Sequence, residues 1–177
     1  MSYRLILMGV IALGALRGVT VARAPEPGRA RTNLVFVASP EKKTFTSGED
    51  VVFAFRLENH GDKDVLVSRT FLLDRHVLMR IVGPDGGEVP WCGRIDGSEL
   101  SSKDFAVLRP GASISAKKRV SCGPNKAFGY KLEKPGAYVA TATYHLTEPI
   151  DVLEQMAGNA LVAKPRLVAP KVRFWIK

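Results

Sequence analysis

The sequence predicts an all-β fold, two packed antiparallel sheets with one short helix near the C-terminus. Three observations carry this. From Asn33 onward the dominant hydrophobic period is two, about eight such segments are separated by Gly/Pro turns, and one stretch alone, "DVLEQMAG" at 151–158, has helical character. An up-and-down barrel is the alternative closure of the same strands.

The elements follow in order. "NLVFVA" (33–38) is a short, nearly continuous apolar strand, and "VVFAFRLEN" (51–59) sets Val51, Phe53, Phe55 and Leu57 on one face with Arg56 and Glu58 opposite. "HGDKD" turns the chain into "DVLVSRTF", and "HVLMRIV" follows with Val77, Met79 and Ile81 in one phase. "GPDGGE" is a hairpin signal, because Asp-Gly and Gly-Gly tolerate positive φ at little cost. "EVPWC" reads as a brief strand whose proline places it at an edge or bulge. "GRIDGSELSSKD" (93–104) is polar and reads as a surface loop.

"FAVLRPG" and "ASISAKKRV" predict a strand, a Pro-Gly turn and a strand with Ile114, Ala116 and Val120 in register, where Lys118 interrupts the apolar phase. "YKLEKPGAYVATATYH" gives another turn and the clearest strand, Tyr138, Ala140, Ala142 and Tyr144 alternating with Val139, Thr141, Thr143 and His145. The helix has Asp151 as its expected N-cap and Gly158 as its close. "LVAPKVRFWIK" returns to period two with Val172, Phe174 and Ile176 inward and Trp175 outward.

The first 24 residues have a basic residue near the start, an apolar run from Leu5 to Leu16 and small residues at Ala22 and Ala24, the layout of a cleaved secretory signal peptide. A membrane anchor is the competing reading, but a bilayer core needs roughly 20 apolar residues and the run is shorter. Residues 25–32, "PEPGRART", read as a flexible tether, and 33–177 as a single β-sandwich domain. No membrane span is expected after cleavage, and the expected compartment is the periplasm or the extracellular medium.

The chain of 177 residues carries 26 basic and 17 acidic side chains, a net +9. Without the leader, 23 basic residues face 17 acidic ones, a moderate +6. The densest basic run, "AKKR" at 116–119, lies in a predicted strand without interleaved aromatics, so no nucleic-acid partner is expected.

Cys92 and Cys122 are the only thiols, and an even count in an exported chain points to a disulfide. Zinc is the weaker reading, because these two cysteines with His60, His76 and His145 show neither C-x-x-C nor H-x-x-x-H spacing. A cysteine nucleophile needs a histidine base that only the fold can bring near. Trp91, beside Cys92, either packs on that disulfide or presents a binding aromatic. Trp175 is the better candidate for a partner or sugar contact, and Arg94, Asp96 and Glu99 of the 93–104 loop are candidates for specificity. Asp85, Asp96 and Glu99 lack calcium-loop spacing, so no metal is expected. The chain has no G-x-S-x-G elbow, P-loop or dinucleotide fingerprint, and no cofactor or catalytic residue is assigned. Paired carboxylates for glycoside chemistry are assembled in space and leave no such signature.

"SGEDVVFAFRLENHGDKDVLV", "PDGGEVPWCG", "VLRPGASIS" and "YKLEKPGAYVATATY" together resemble the immunoglobulin-like β-sandwich that precedes the catalytic domain in deuterolysin-type and peptidyl-lysine zinc metalloendopeptidases. The same stretch, residues 47–144, is similar to the sandwich of the BsuPI family of proteinase inhibitors. The peptidases' H-E-x-x-H is missing here, so the resemblance implies no peptidase activity. Tyr138, just after a Pro-Gly corner, is placed to send its hydroxyl back to the preceding turn, a tyrosine corner, or is a core tyrosine with its hydroxyl in water.

The expected function is a non-enzymatic exported binding or interaction module that recognises a protein or peptide. The alternatives are carbohydrate or envelope-polymer binding, and proteinase inhibition; a small hydrolase is the remaining one.

Overall fold

The structure, a computed structural model, describes residues 33–73, 75–93, 101–122, 128–162 and 166–177. The expected leader and tether lie outside the described residues, as does most of the 93–104 loop. The elements are β1 (Leu34–Pro40), β2 (Thr44–Phe45), β3 (Val52–Asn59), β4 (Val65–Ser68), β5 (Val77–Val82), β6 (Phe105–Leu108), β7 (Ser113–Arg119), β8 (Gly136–Tyr144), α1 (Ile150–Ala157), β9 (Leu167–Val168) and β10 (Val172–Ile176).

A three-stranded antiparallel sheet, β1-β3-β7, faces a five-stranded one, β2-β10-β8-β5 with β9 also on β8; β4 and β6 form a separate two-stranded ribbon. The fold class is therefore the predicted all-β sandwich with one short helix, and the sheets have ends, so it is not a closed barrel.

Alternation decides which side chains meet between the layers. Phe53, Phe55 and Leu57 of β3 are fully buried, with Leu34, Phe36 and Ala38 of β1 beside them. Tyr138, Ala140, Ala142 and Tyr144 of β8 and Phe174 and Ile176 of β10 face them from the other sheet. Phe53 meets Phe174 edge-on at 5.7 Å between ring centroids, and Phe36 meets Tyr144 at 5.6 Å. Edge-on and tilted pairs of this kind suit the ring quadrupoles and add to the area buried.

The turns form where glycine and proline predicted them. In "GPDGG" the Gly83 N–H donates to the Gly87 carbonyl at 2.8 Å, with Gly86 at φ +78°. Arg109-Pro110-Gly111-Ala112 closes with Ala112 donating to Arg109 at 3.0 Å.

Several expectations are corrected. α1 starts two residues early: Pro149 and not Asp151 occupies the N-cap position, without a side-chain hydrogen bond, and Asp151 sits in the first turn, where its charge still complements the helix dipole. The Pro149 carbonyl accepts from Leu153 at 3.1 Å, which sets that start. "EVPWC" is not a strand but a run of single contacts: Val89 donates to Ile81, the Pro90 carbonyl accepts from Lys131, and Trp91 bridges Tyr130. Its partners change from residue to residue, and Pro90 has no N–H with which to continue a ladder. β4 is shorter than "DVLVSRTF" and buried on both faces, because α1 and Leu161 cover its second side; Leu66 donates to Leu161 at 3.0 Å. β2, two residues long, is too short to carry a period and escaped the sequence reading, and the single stretch read from "LVAPKVRFWIK" is divided into β9 and β10.

Candidate binding surface

Because β8 turns its tyrosines and alanines inward, Ala137, Val139, Thr141 and Thr143 face outward. Register places Trp175 beside Ala137 and Thr44, and Arg173 beside Val139, which is flanked on its other side by Val82. Further along, Thr141 faces Arg80, and Thr143 lies between Val168 and Leu78. Trp175 is 39% exposed, Leu78 40% and Val168 59%. The outer face of the five-stranded sheet is thus a strip of apolar and threonine side chains with a tryptophan and two arginines. It offers a flat indole surface for stacking and cations for acidic groups. Arg80 is held by Glu88 at 2.9 Å.

Trp175 therefore lies where the sequence placed it, outward on β10. Arg94, Asp96 and Glu99 fall outside the described residues. Cys92 and Cys122 form the predicted disulfide, with Cα atoms 6.3 Å apart, inside the range such bonds span. Around it, Cys92 donates to Gly129 at 2.8 Å and Cys122 to Tyr130 at 3.0 Å. Gly129, at φ +147°, passes so close to Ser121 that an added Cβ would lie 2.5 Å from its carbonyl, so only glycine fits. Trp91 packs edge-on against Tyr130, 5.0 Å between centroids, with its Nε1 buried and without a hydrogen-bond partner among the described residues. It is a half-buried packing residue and not a presented one. A cavity of about 610 Å³ beside the disulfide is lined by Ser47, Glu49, Asp50, Ser121, Lys131 and Glu133. No group of three potential metal ligands occurs among the described residues.

The Tyr138 hydroxyl donates to the Lys134 carbonyl at 2.6 Å, which decides for the tyrosine corner. Burial raises its pKa. Lys134 in turn pairs with Asp85 at 2.6 Å, joining this corner to the "PDGG" turn.

A buried polar group that the sequence did not announce joins β4, β5 and the segment before α1. Ser68 Oγ lies 2.7 Å from His76 Nδ1, and His76 Nε2 lies 3.0 Å from Glu148 Oε1. Ser68 and His76 are fully buried. The residue types are those of a hydrolase triad, but the ring is reversed, with Nδ1 toward the serine and Nε2 toward the acid, and Ser68 is sealed from solvent. The group acts as a structural tie. Desolvation lowers the His76 pKa despite the Glu148 hydrogen bond. For Glu148, burial pushes upward, but hydrogen bonds from His76 and Thr147, its own backbone and the imidazole charge together hold it below the ordinary value. Its three members lie 8 and 72 positions apart, so no local pattern could have revealed them.

No family model matches the chain, and no curated protein matches it. Among solved structures, it is similar to a CARDB domain from Pyrococcus furiosus, solved in complex with di-metal ions, at 10% identity and a TM-score of 0.40, covering 82% of this chain and 93% of that one. It is also similar to part of a β-glucosidase from Erythrobacter marinus (16% identity, TM-score 0.43) and of one from Listeria innocua (9%, 0.38). Each match covers 82% of this chain, which spans only 16% of either enzyme's length. Likenesses this distant carry nothing about function. What stands of the resemblance to the metalloendopeptidase and BsuPI sandwiches is the β-sandwich itself.

Proposed function

We propose that the chain is a non-catalytic, exported binding module that recognises a protein or peptide partner through the outer face of its five-stranded sheet. The observation that carries this reading is the exposed indole of Trp175, set beside Arg173 on a regular strand while the neighbouring Phe174 is fully buried. A tryptophan held by a rigid sheet loses little freedom on binding and supplies a large contact area, the property of an interface anchor. Export is supported by the Cys92–Cys122 pair, which suits an oxidising compartment, and no described helix is long and apolar enough to cross a membrane.

A saccharide or acidic envelope polymer is the second reading, favoured by the same indole beside Arg173. Proteinase inhibition is a special case of the first. Capture from envelope extract, with wild type and Trp175→Ala compared, tests the site. Trp175-dependent capture of a protein is the expected result, and capture indifferent to the substitution overturns the assignment. Binding to an acidic polymer weakens steeply as salt rises, whereas a peptide held by packing survives moderate salt.

A further inference from the structure

The strand β7 ends the three-stranded sheet, and its hydrogen-bond phase can be read from its two ends. Asn59 donates to the Ala112 carbonyl at 3.0 Å, and Val120 donates to the Val51 carbonyl at 2.8 Å. In an antiparallel ladder, bond-exchanging residues recur at every second position. Ile114, Ala116 and Lys118 therefore bond to Leu57, Phe55 and Phe53. The N–H and C=O groups of Ser113, Ser115, Lys117 and Arg119 point away from β3, and no described residue bonds to them. The side chains of these four residues are also the exposed ones.

We propose that the open edge of β7 binds an extended, acidic peptide segment of a protein partner, which adds a fourth strand to the sheet. The outward backbone groups supply the register and most of the attachment. Lys117, Lys118 and Arg119 make the second half of the edge basic and set the preference for carboxylates. Lys117 reaches Glu41 at 2.5 Å and Arg119 reaches Asp50 at 3.8 Å. Both are exposed pairs, which hold weakly and yield to a carboxylate laid along the strand. A second copy of the chain fits less well. Antiparallel self-pairing about Ala116 sets Ser115 opposite Lys117, but it also brings the two Lys117 side chains onto diagonal positions of one face, and lysine is the residue that edges use against self-pairing.

The proposal deepens the reading of the chain as a peptide-recognising module but uses a different surface, so the two fail separately. Loss of Trp175-dependent capture leaves this edge untouched, and an inert edge leaves that capture untouched. The test is amide hydrogen exchange on the purified protein with a synthetic peptide of about eight residues alternating Glu and Thr, and a control alternating Lys and Thr. The acidic peptide is expected to slow exchange at Ser113, Ser115, Lys117 and Arg119, while the basic control does not. Ser115→Pro removes an outward N–H to which no described residue bonds, a position where an edge strand accepts proline, and is expected to weaken binding on the order of tenfold. Joint replacement of Lys118 and Arg119 by Glu is expected to exchange the preference of the two peptides, which guards against a folding defect in the proline variant. Unchanged exchange at the four amides, or a charge-reversed variant with the wild-type preference, overturns the proposal. So does protection of the same amides without peptide at a dimer's sedimentation rate, which identifies a second copy as the occupant.

Discussion

His76 Nε2 lies 3.0 Å from Glu148 Oε1, and the two side chains, 72 positions apart, are both buried. Ser68, Thr147, Arg75, Asp104, Tyr144 and His145 are polar and charged groups around them. The arrangement ties β5 to the segment that starts α1, and it makes stability depend on pH.

Both pKa values are depressed, so the sign follows directly. The unfolded chain takes up a proton at His76 near its ordinary 6.5 while the folded chain does not, so stability falls as pH drops below about 6.5. His145, lowered mainly by burial, adds in the same direction. Glu148 contributes a second loss below its ordinary 4.5. Denaturant melts at stepped pH should show a midpoint that declines from pH 7 to 4. His76→Ala should be less stable at neutral pH by about 3 kcal/mol, because it strips a buried carboxylate of one of its hydrogen-bond partners, and should decline less steeply between pH 7 and 5.

Replacing Cys92 and Cys122 together by Ser releases the loop they close, a separation of 30 residues. The chain-entropy argument puts the loss at about 3.5 kcal/mol. Thermal unfolding of the double variant should match that of the reduced wild type, and a mass comparison after alkylation with and without reductant reads the bond directly.

Tyr138→Phe keeps the ring packed on Phe174, with centroids 5.3 Å apart, and removes only the hydroxyl bond to Lys134. A loss of about 1–2 kcal/mol in chemical denaturation is expected, since the carbonyl left behind is partly buried. A neutral result would reduce the corner to ordinary core packing.

Trp175→Ala should leave the denaturation midpoint within about 0.5 kcal/mol of wild type, because the side chain stands on the solvent face. A large destabilisation would show the indole to be holding the sheet together rather than waiting for a partner.

The alternation in "VVFAFRLEN", "AYVATATY" and "VRFWIK" was enough to assign the buried face of β3, β8 and β10, and with them the outward Trp175, because successive side chains of a pleated strand point to opposite faces and in these three strands one phase carries the large apolar residues. The pairing of the two cysteines was likewise legible from their even count, whereas the sequence only named Tyr138 as a candidate for a corner, and the hydroxyl bond to Lys134 decided it. Tertiary structure alone decided that the arc from Val89 to Cys92 bridges several partners instead of forming a strand, that Ser68, His76 and Glu148 share one buried knot, and that β7 rather than β3 ends its sheet. These depend on which distant segments become neighbours, and neighbourhood is set by how whole layers close over a common core, a property that no window along the chain contains.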